Sequence, residues 1–306
     1  MMTRIRSATV MAFLVLFTLW QCRGQQQHTK TDRQPSVAGS FYPAGKQELL
    51  MMLDELFLTA KNVSGTDPQL LVVPHAGYVF SGQVAAAAYK QIDRERSYKR
   101  IFIIGPNHRV AFDGVMVYTQ GDFLTPLGRV PVDPLAAELV RKHPLFGSDP
   151  KPHLQEHCIE VQLPFLQYWL KKPFAIVPVL IGGNSAEIAR QAGSILAPYL
   201  TPENLFIISA DFSHYPPYSD AIKADLATAD AIASNKTKIF LNTIAKNERD
   251  FGPDLQTSIC GWMPMLSLLH ITEKDPEIEI RKIVYQNSGD SRYGDREKVV
   301  GYWAMA

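Results

Sequence analysis

The stretch "LLVVPHAGYVFSG" runs from Leu70 to Gly82 and decides the fold. Its first four residues form an uninterrupted apolar run, which is typical of a strand that helices cover on both faces. The run stops at Pro74, and His75 follows directly. The Ala-rich segment after it predicts a helix over residues 81–92. The stretch therefore predicts a buried strand that presents a histidine at its carboxyl end, just before a helix.

The same alternation of apolar runs and helical periods continues along the chain. The segment 46–60 places Leu49, Leu53 and Phe57 four residues apart, on one face of a helix. Further strands are predicted at 69–74, 100–106, 113–121, 174–182, 204–210, 278–288 and 299–306, and further helices at 134–143, 157–170, 185–200, 220–233, 237–246 and 260–272. Apolar residues make up 46% of the 306 residues, enough for a sizeable core. The sequence predicts an α/β fold, a single three-layer α/β/α domain.

The first 22 residues have the pattern of a secretory signal peptide. Arg4 and Arg6 give a basic start, and the apolar run over residues 8–20 is short for a membrane span. Cys22 follows in a context that resembles a lipoprotein cleavage box, which would allow a lipid anchor. The predicted location is therefore exported, as a periplasmic protein or a membrane-anchored lipoprotein. A soluble exported protein and a retained N-terminal anchor stay open as alternatives.

The chain divides into three predicted parts. Residues 1–22 form the signal peptide, residues 23–33 a polar linker, and residues 34–306 the folded domain. The formal charge of +1 gives no reason to expect a nucleic-acid partner. Besides Cys22, the chain has only Cys158 and Cys260, which can pair in an oxidising compartment but do not make a disulfide framework.

Three predicted strands end in side chains that can bind metal or carry protons. The first ends at His75 and the second, "IFIIGPN", at His108, while "LFIISA" is followed by Asp211 and His214. In open α/β sheets, ligands bind at the carboxyl edge of the strands. A lone histidine at such a place is more often structural. Three coincident strand ends favour a functional site instead.

Two further segments supply candidates. Glu156 and His157 open the predicted helix 157–170, at a helix end that favours negative charge, and Pro164 is expected to kink this helix. Cys260 precedes a predicted helix, where a thiol is expected to have a lowered pKa and to bind metal well. Cys158, by contrast, is interpreted as a buried core residue.

Seven motifs in order resemble the Memo family, whose bacterial members are known as AmmeMemoRadiSam system protein B. They are "PSVAGSFYPA", "VPHAGYVFSG", "IIGPNHRV", "EHCIEVQLPF", "SADFSHY", "TSICGWMP" and the terminal "NSGD" with "GDREKVVGYWA". The resemblance covers residues 34–306. It implies a LigB-like fold with a mixed central sheet, similar to class III extradiol ring-cleaving dioxygenases.

The resemblance also implies roles for six residues. The metal ligands would be His75, His108 and Cys260, and the catalytic residues would be His214, Asp211 and His157. In this scheme His214 is the acid/base group, with Asp211 beside it to orient it. The implied partners are a small-molecule substrate and the other AmmeMemoRadiSam proteins, including a radical SAM protein. The exported N-terminus departs from the cytosolic members of the family.

The expected metal follows from the donor set. Non-haem Fe(II) oxygenases use two histidines and a carboxylate, whereas a thiolate as third ligand admits Cu(I) and zinc besides Fe(II). One hypothesis is a metal-dependent redox enzyme, dioxygenase-like, in which His214 moves a proton. A second is a non-catalytic copper- or iron-binding protein. A zinc hydrolase with His157 or His214 as base is a third, and a purely structural role for the histidines is a fourth.

Overall fold

A computed structural model describes residues 31–61 and 67–306. The predicted signal peptide, Cys22 and most of the predicted linker lie outside these residues. Within them, no helix is long and apolar enough to cross a membrane. The end of the predicted linker already contacts the domain, because the Thr31 amide donates to the Gln120 carbonyl and the Arg33 amide donates to the Asp122 carbonyl, each at 2.8 Å.

The described residues contain ten strands. These are β1 (Leu70–Val73), β2 (Arg100–Pro106), β3 (Gly114–Val117), β4 (Phe123–Thr125), β5 (Gly128–Val130), β6 (Phe146–Gly147), β7 (Ile176–Gly182), β8 (Asn204–Ser209), β9 (Lys282–Asn287) and β10 (Gly301–Met305). Eight of them form one sheet in the order β6-β3-β7-β2-β8-β1-β10-β9, and β4 and β5 pair as a separate hairpin.

The centre of the sheet is parallel and its flanks are mostly antiparallel. Strands β7, β2, β8 and β1 run parallel to one another, while β3 pairs antiparallel with β7 and β10 pairs antiparallel with β1. The predicted mixed central sheet is therefore confirmed. Because the four central strands are parallel, their carboxyl ends share one edge, which receives His75, His108 and Asp211.

Helices cover both faces of the sheet. They are α1 (Lys46–Thr59), α2 (Tyr78–Tyr89), α3 (Leu135–Lys142), α4 (Lys151–Leu154), α5 (Leu163–Trp169), α6 (Ala186–Leu196), α7 (Tyr218–Ala233), α8 (Thr237–Phe251) and α9 (Trp262–Thr272). In β2, Ile101 and Ile103 pack with α1, α2 and α5, whereas Phe102 and Ile104 pack with α3 and α6 to α9. The alternation makes two cores, one on each face, and confirms the three-layer arrangement.

The predicted helix over 157–170 is wrong in its first part. A single 3-10 turn, Glu160–Gln162, precedes α5, and Pro164 lies in the first turn of α5. Proline is tolerated there because the amides of the first turn of a helix have no carbonyl partner within that helix. Pro164 therefore removes no hydrogen bond of α5 and does not kink it. The residues before the turn stay in a loop because the amides of His157 and Cys158 donate to the Glu156 carboxylate.

Several other boundaries differ from the sequence prediction, among them the end of α8, which runs to Phe251, and the start of β9 at Lys282. The strand predicted over 113–121 ends at Val117, because the chain beyond it turns to pair with Thr31. Helix α2 begins at Tyr78, three residues before the predicted start, with Gly77 as its N-cap. Helix α2 therefore starts three residues after His75.

Candidate metal centre

His75 is held by one nitrogen of its imidazole and by its main chain. Its amide donates to Asp211 Oδ1 at 2.7 Å, and its Nδ1 lies 3.0 Å from Ser209 Oγ. The Ser209 hydroxyl donates to the Cys158 carbonyl at 2.6 Å. Because that hydrogen is used, His75 Nδ1 must be the donor to Ser209, and Nε2 keeps its lone pair. The residue is 1% exposed.

The protonation of His75 favours metal binding. Burial, and then the charges of His108 and His157, hold its pKa well below the usual range. The ring is therefore neutral at physiological pH. Neutral imidazole with a free Nε2 is the form that binds transition metals.

Glu156 holds the other two histidines with one carboxylate. Its Oε2 accepts from the His108 amide at 2.6 Å, and its Oε1 lies 3.0 Å from His108 Nδ1. The same Oε1 accepts from the His157 amide at 2.8 Å. His157 Nδ1 lies 3.1 Å from Oε1 but is not aligned for a hydrogen bond. The carboxylate thus orients the His108 ring and holds the main chain of His157.

Glu156 is ionised. Burial would raise its pKa, but the two histidines beside it outweigh burial and hold its pKa well below the usual range. An ionised carboxylate only accepts hydrogen bonds, so His108 Nδ1 carries the proton and Nε2 is free. A carboxylate behind a histidine is the arrangement that orients metal-binding histidines in many metal sites.

The three imidazoles converge. The ring centroid of His75 lies 5.2 Å from that of His108 and 5.3 Å from that of His157, and the last two are 4.9 Å apart. One ring nitrogen of each residue lies within 4.8 Å of the others, a group that can hold a metal ion. His75 and His108 were predicted as ligands. His157 was predicted as a catalytic residue, and the structure brings it into the same group.

Cys260 lies against this group. Its Sγ is 3.3 Å from His75 Nε2 and accepts from the Asp211 amide at 3.2 Å. The backbone reaches this place because Gly261 packs on the end of β8, where an added Cβ would lie 2.7 Å from Ala210 Cβ. A larger residue at Gly261 would push the thiol away from His75.

The expected low pKa of the Cys260 thiol is wrong for the protein without metal. Burial, and then the charge of Asp211, raise its pKa well above the usual range. Cys260 precedes Gly261, the N-cap of α9, so it stands outside the helix. Any effect of the helix dipole is therefore outweighed by loss of solvent. A metal bound to this sulfur would have to displace its proton.

Asp211 and His214 follow β8 but do different things. The Asp211 carboxylate bonds the main chain of His75, and its Oδ2 lies 4.0 Å from His75 Nε2. Burial raises the pKa of Asp211 to about 6. Asp211 therefore supports the first histidine, rather than orienting His214 as the resemblance implied.

His214 is held by its main chain. Its amide donates to the Thr257 carbonyl at 3.1 Å, and it also bridges to Val300. Burial, and then the charge of His108, lower its pKa to about 4. Its Nε2 is buried and has no hydrogen-bond partner among the described residues. His214 is thus a neutral base with a free nitrogen.

Two residues of the site were not predicted from the sequence. Ser209 ends β8, and Gln162 lies in the 3-10 turn before α5, with its amide nitrogen 2.9 Å from Ser209 Oγ. Both are 0% exposed. A polar residue at the end of an apolar strand was the available signal for Ser209. Cys158 is buried as predicted, and its thiol donates to the Pro106 carbonyl.

Comparison with known proteins supports one family. A profile described as Memo-like protein matches residues 33–306. A MEMO1 family protein of Thermoplasma acidophilum is 35% identical over 274 residues, covering 89% of this chain and 97% of the relative. A MEMO1 family protein of Aquifex aeolicus is 33% identical over 275 residues, covering 89% and 98%.

One solved structure also overlaps with this fold. It is that of the uncharacterized protein JW3007 from Escherichia coli K12, with a TM-score of 0.49 and 12% identity, covering 77% of this chain and 98% of that one. The family assignment does not depend on it. It rests on the profile, which spans the whole described domain, and on relatives that match over nearly their full length. The chain therefore belongs to the family of Memo-like proteins.

Proposed function

We propose that this protein binds a redox-active transition metal, Fe(II) or Cu(I), and uses it to oxidise a small organic molecule. His75, His108 and His157 would hold the metal, with the Cys260 sulfur as a further donor. The observation that carries the proposal is the convergence of three imidazoles at the carboxyl edge of the sheet, with the thiol 3.3 Å from His75 Nε2.

The donor set fits such a metal. Imidazole nitrogen suits iron, copper and zinc, and a thiolate adds preference for softer ions. Two rings have their Nδ1 directed at an acceptor, Ser209 for His75 and Glu156 for His108, which leaves Nε2 for the ion. When bound, the metal would supply one-electron chemistry with dioxygen.

The residues around the centre would handle substrate and proton. The His108 side chain is 28% exposed, so a small molecule can approach from that side. His214 is neutral and has a free, buried Nε2, so it would accept a proton from a substrate hydroxyl. Asp211 would keep His75 in place through the His75 amide.

A second candidate is metal binding without turnover. The contact between Cys260 Sγ and His75 Nε2 favours it, because mixed thiolate and imidazole donors suit Cu(I). In that case the metal would be stored or passed on. X-ray absorption that shows a coordination shell filled by protein atoms alone would support this candidate over the oxidase.

Oxygen uptake separates the two. Protein loaded anaerobically with Fe(II) or Cu(I) is mixed with catechol-like substrates, and dioxygen consumption is followed. We expect uptake in wild type and a loss of about 100-fold or more in His214→Gln, with metal content unchanged. His143→Gln, after α3, is the matched control. If none of the tested combinations of metal and substrate consumes dioxygen, the oxidase proposal is wrong. Metal binding without turnover is then the candidate function that remains.

A further inference from the structure

A buried ion pair lies behind the candidate metal centre. Arg33 is 1% exposed and Glu160 is 0% exposed, and Nη1 of the arginine lies 2.5 Å from Oε2 of the glutamate. Replacing such a pair with apolar residues of similar size often leaves stability unchanged or raised. The pair is therefore poorly explained by stability, and its contacts point elsewhere.

Arg33 ties down the segment that leads into the centre. Its Nε donates to the His153 carbonyl at 2.8 Å, and its Nη2 donates to the Glu156 carbonyl at 2.6 Å. The first acceptor lies in α4 and the second belongs to Glu156, whose carboxylate orients the His108 ring and accepts from the His157 amide. A planar guanidinium can make these bonds together, whereas an ammonium group lacks the fixed fork.

Glu160 ties down a second segment. Its carboxylate accepts from the Ser36 amide at 2.8 Å, the Val37 amide at 3.1 Å and the Tyr42 hydroxyl at 2.5 Å. This segment carries Phe41, whose ring centroid lies 4.8 Å from that of His157. The ion pair thus connects the segment around Ser36 and Val37 to the segment around Glu156.

The three histidines of the centre have different direct partners. His108 and His157 depend on Glu156, and through its carbonyl on Arg33. His75 is held instead by Ser209, the last residue of β8, and by Asp211, which follows this strand. A fault at Arg33 should therefore act first on His108 and His157, and less directly on His75, whose partner Ser209 donates to the Cys158 carbonyl.

We propose that Arg33 and Glu160 are positioning residues of the metal centre, which hold Glu156 so that its carboxylate can orient the His108 ring and hold the main chain of His157. The inference rests on the proposed metal binding at these histidines. Outer partners of metal ligands typically change metal affinity by about 10- to 100-fold when they are removed. The same range is expected here, without contact between Arg33 and the ion.

The test uses the double variant Arg33→Met/Glu160→Leu in the full chain. We expect a folded protein that binds Fe(II) or Cu(I) about 10- to 100-fold more weakly, with fewer imidazole ligands in X-ray absorption. The metal affinity of Arg33→Lys should fall between those of the wild type and the double variant. The control is Arg100→Gln/Asp133→Asn, which removes an ion pair at the opposite edge of the sheet and should leave the affinity unchanged.

The outcomes are separable. If wild type and His75→Ala bind metal equally weakly, the proposed function fails and this inference falls with it. If wild type binds tightly and the folded double variant binds equally tightly, only the positioning role is overturned. If the double variant does not fold, Arg33→Lys decides, because it keeps the charge; wild-type affinity and ligand number in Arg33→Lys would overturn the proposal.

Discussion

At the scale of single residues, Glu156 contacts two of the three histidines of the centre. One carboxylate receives the main chain of His108 and His157 and the Nδ1 of His108. Its ionised state makes it an acceptor at both oxygens. Two of the three histidines of the candidate site therefore share one support.

Glu156→Gln should weaken metal binding. An amide keeps the shape but replaces one acceptor oxygen with a donor, so either the His108 amide or the three groups that donate to Oε1 lose their partner. We expect about a 10- to 100-fold loss of affinity, measured by competition with a chelator. Glu248→Gln, an exposed change on α8, should bind as wild type does. Equal affinity in both variants would contradict the role of Glu156.

Cys260 shows what a sequence pattern leaves out at this scale. The position before a helix favoured a low pKa, but the pattern contains no information on burial or on Asp211. Both raise the pKa of the thiol in the folded chain. The presence of the cysteine was readable, whereas its protonation depends on contacts made across about fifty residues of sequence.

At the scale of elements, the end of β2 is packed directly against the loop after Glu156. A Cβ added to Gly105 would lie 2.4 Å from Cys158 Sγ. Gly105→Ala should therefore lower the free energy of unfolding by about 1–3 kcal/mol. Urea denaturation measures this, and Gly105→Ala/Cys158→Ala should regain most of the loss. Additive losses in the double variant would show that this contact is not the cause.

Helix α7 carries a further buried carboxylate. Asp225 accepts from the Ser213 amide, the Ser213 hydroxyl and the Tyr285 hydroxyl. Burial nevertheless raises its pKa to about 7, from 3.8. Between pH 3.8 and about 7, the folded chain thus keeps the proton of Asp225, which the unfolded chain releases. Stability from this group is present below about pH 4 and is lost as pH rises to about 7.

Asp225→Asn should flatten this part of the pH profile. The difference between pH 5 and pH 8 in the wild type should include a loss on the order of 2–3 kcal/mol from Asp225, and the variant should lack it. Chemical denaturation at the two pH values is the measurement. Asp230→Asn, exposed on the same helix, is the control. An equally steep profile in Asp225→Asn would refute the assignment.

At the scale of the whole molecule, the apolar strand runs were enough to predict the layers and the edge where the site lies. Their composition requires helices on both faces, and parallel neighbours then bring His75, His108 and Asp211 together. The start of α5 was not readable, because the Glu156 carboxylate takes the amides that a longer helix would use. Ser209 was missed because its partners are distant in sequence.

The metal content of the purified protein tests the central claim most directly. Elemental analysis is made on wild type, His75→Ala and the control His143→Ala, each loaded with Fe(II) or Cu(I) and freed of loosely bound ions. We expect about one ion per chain in the wild type and the control, and a marked loss of metal in His75→Ala. The loss is expected because His75 is the buried member of the three-histidine group. Equal metal content in all three proteins would contradict it.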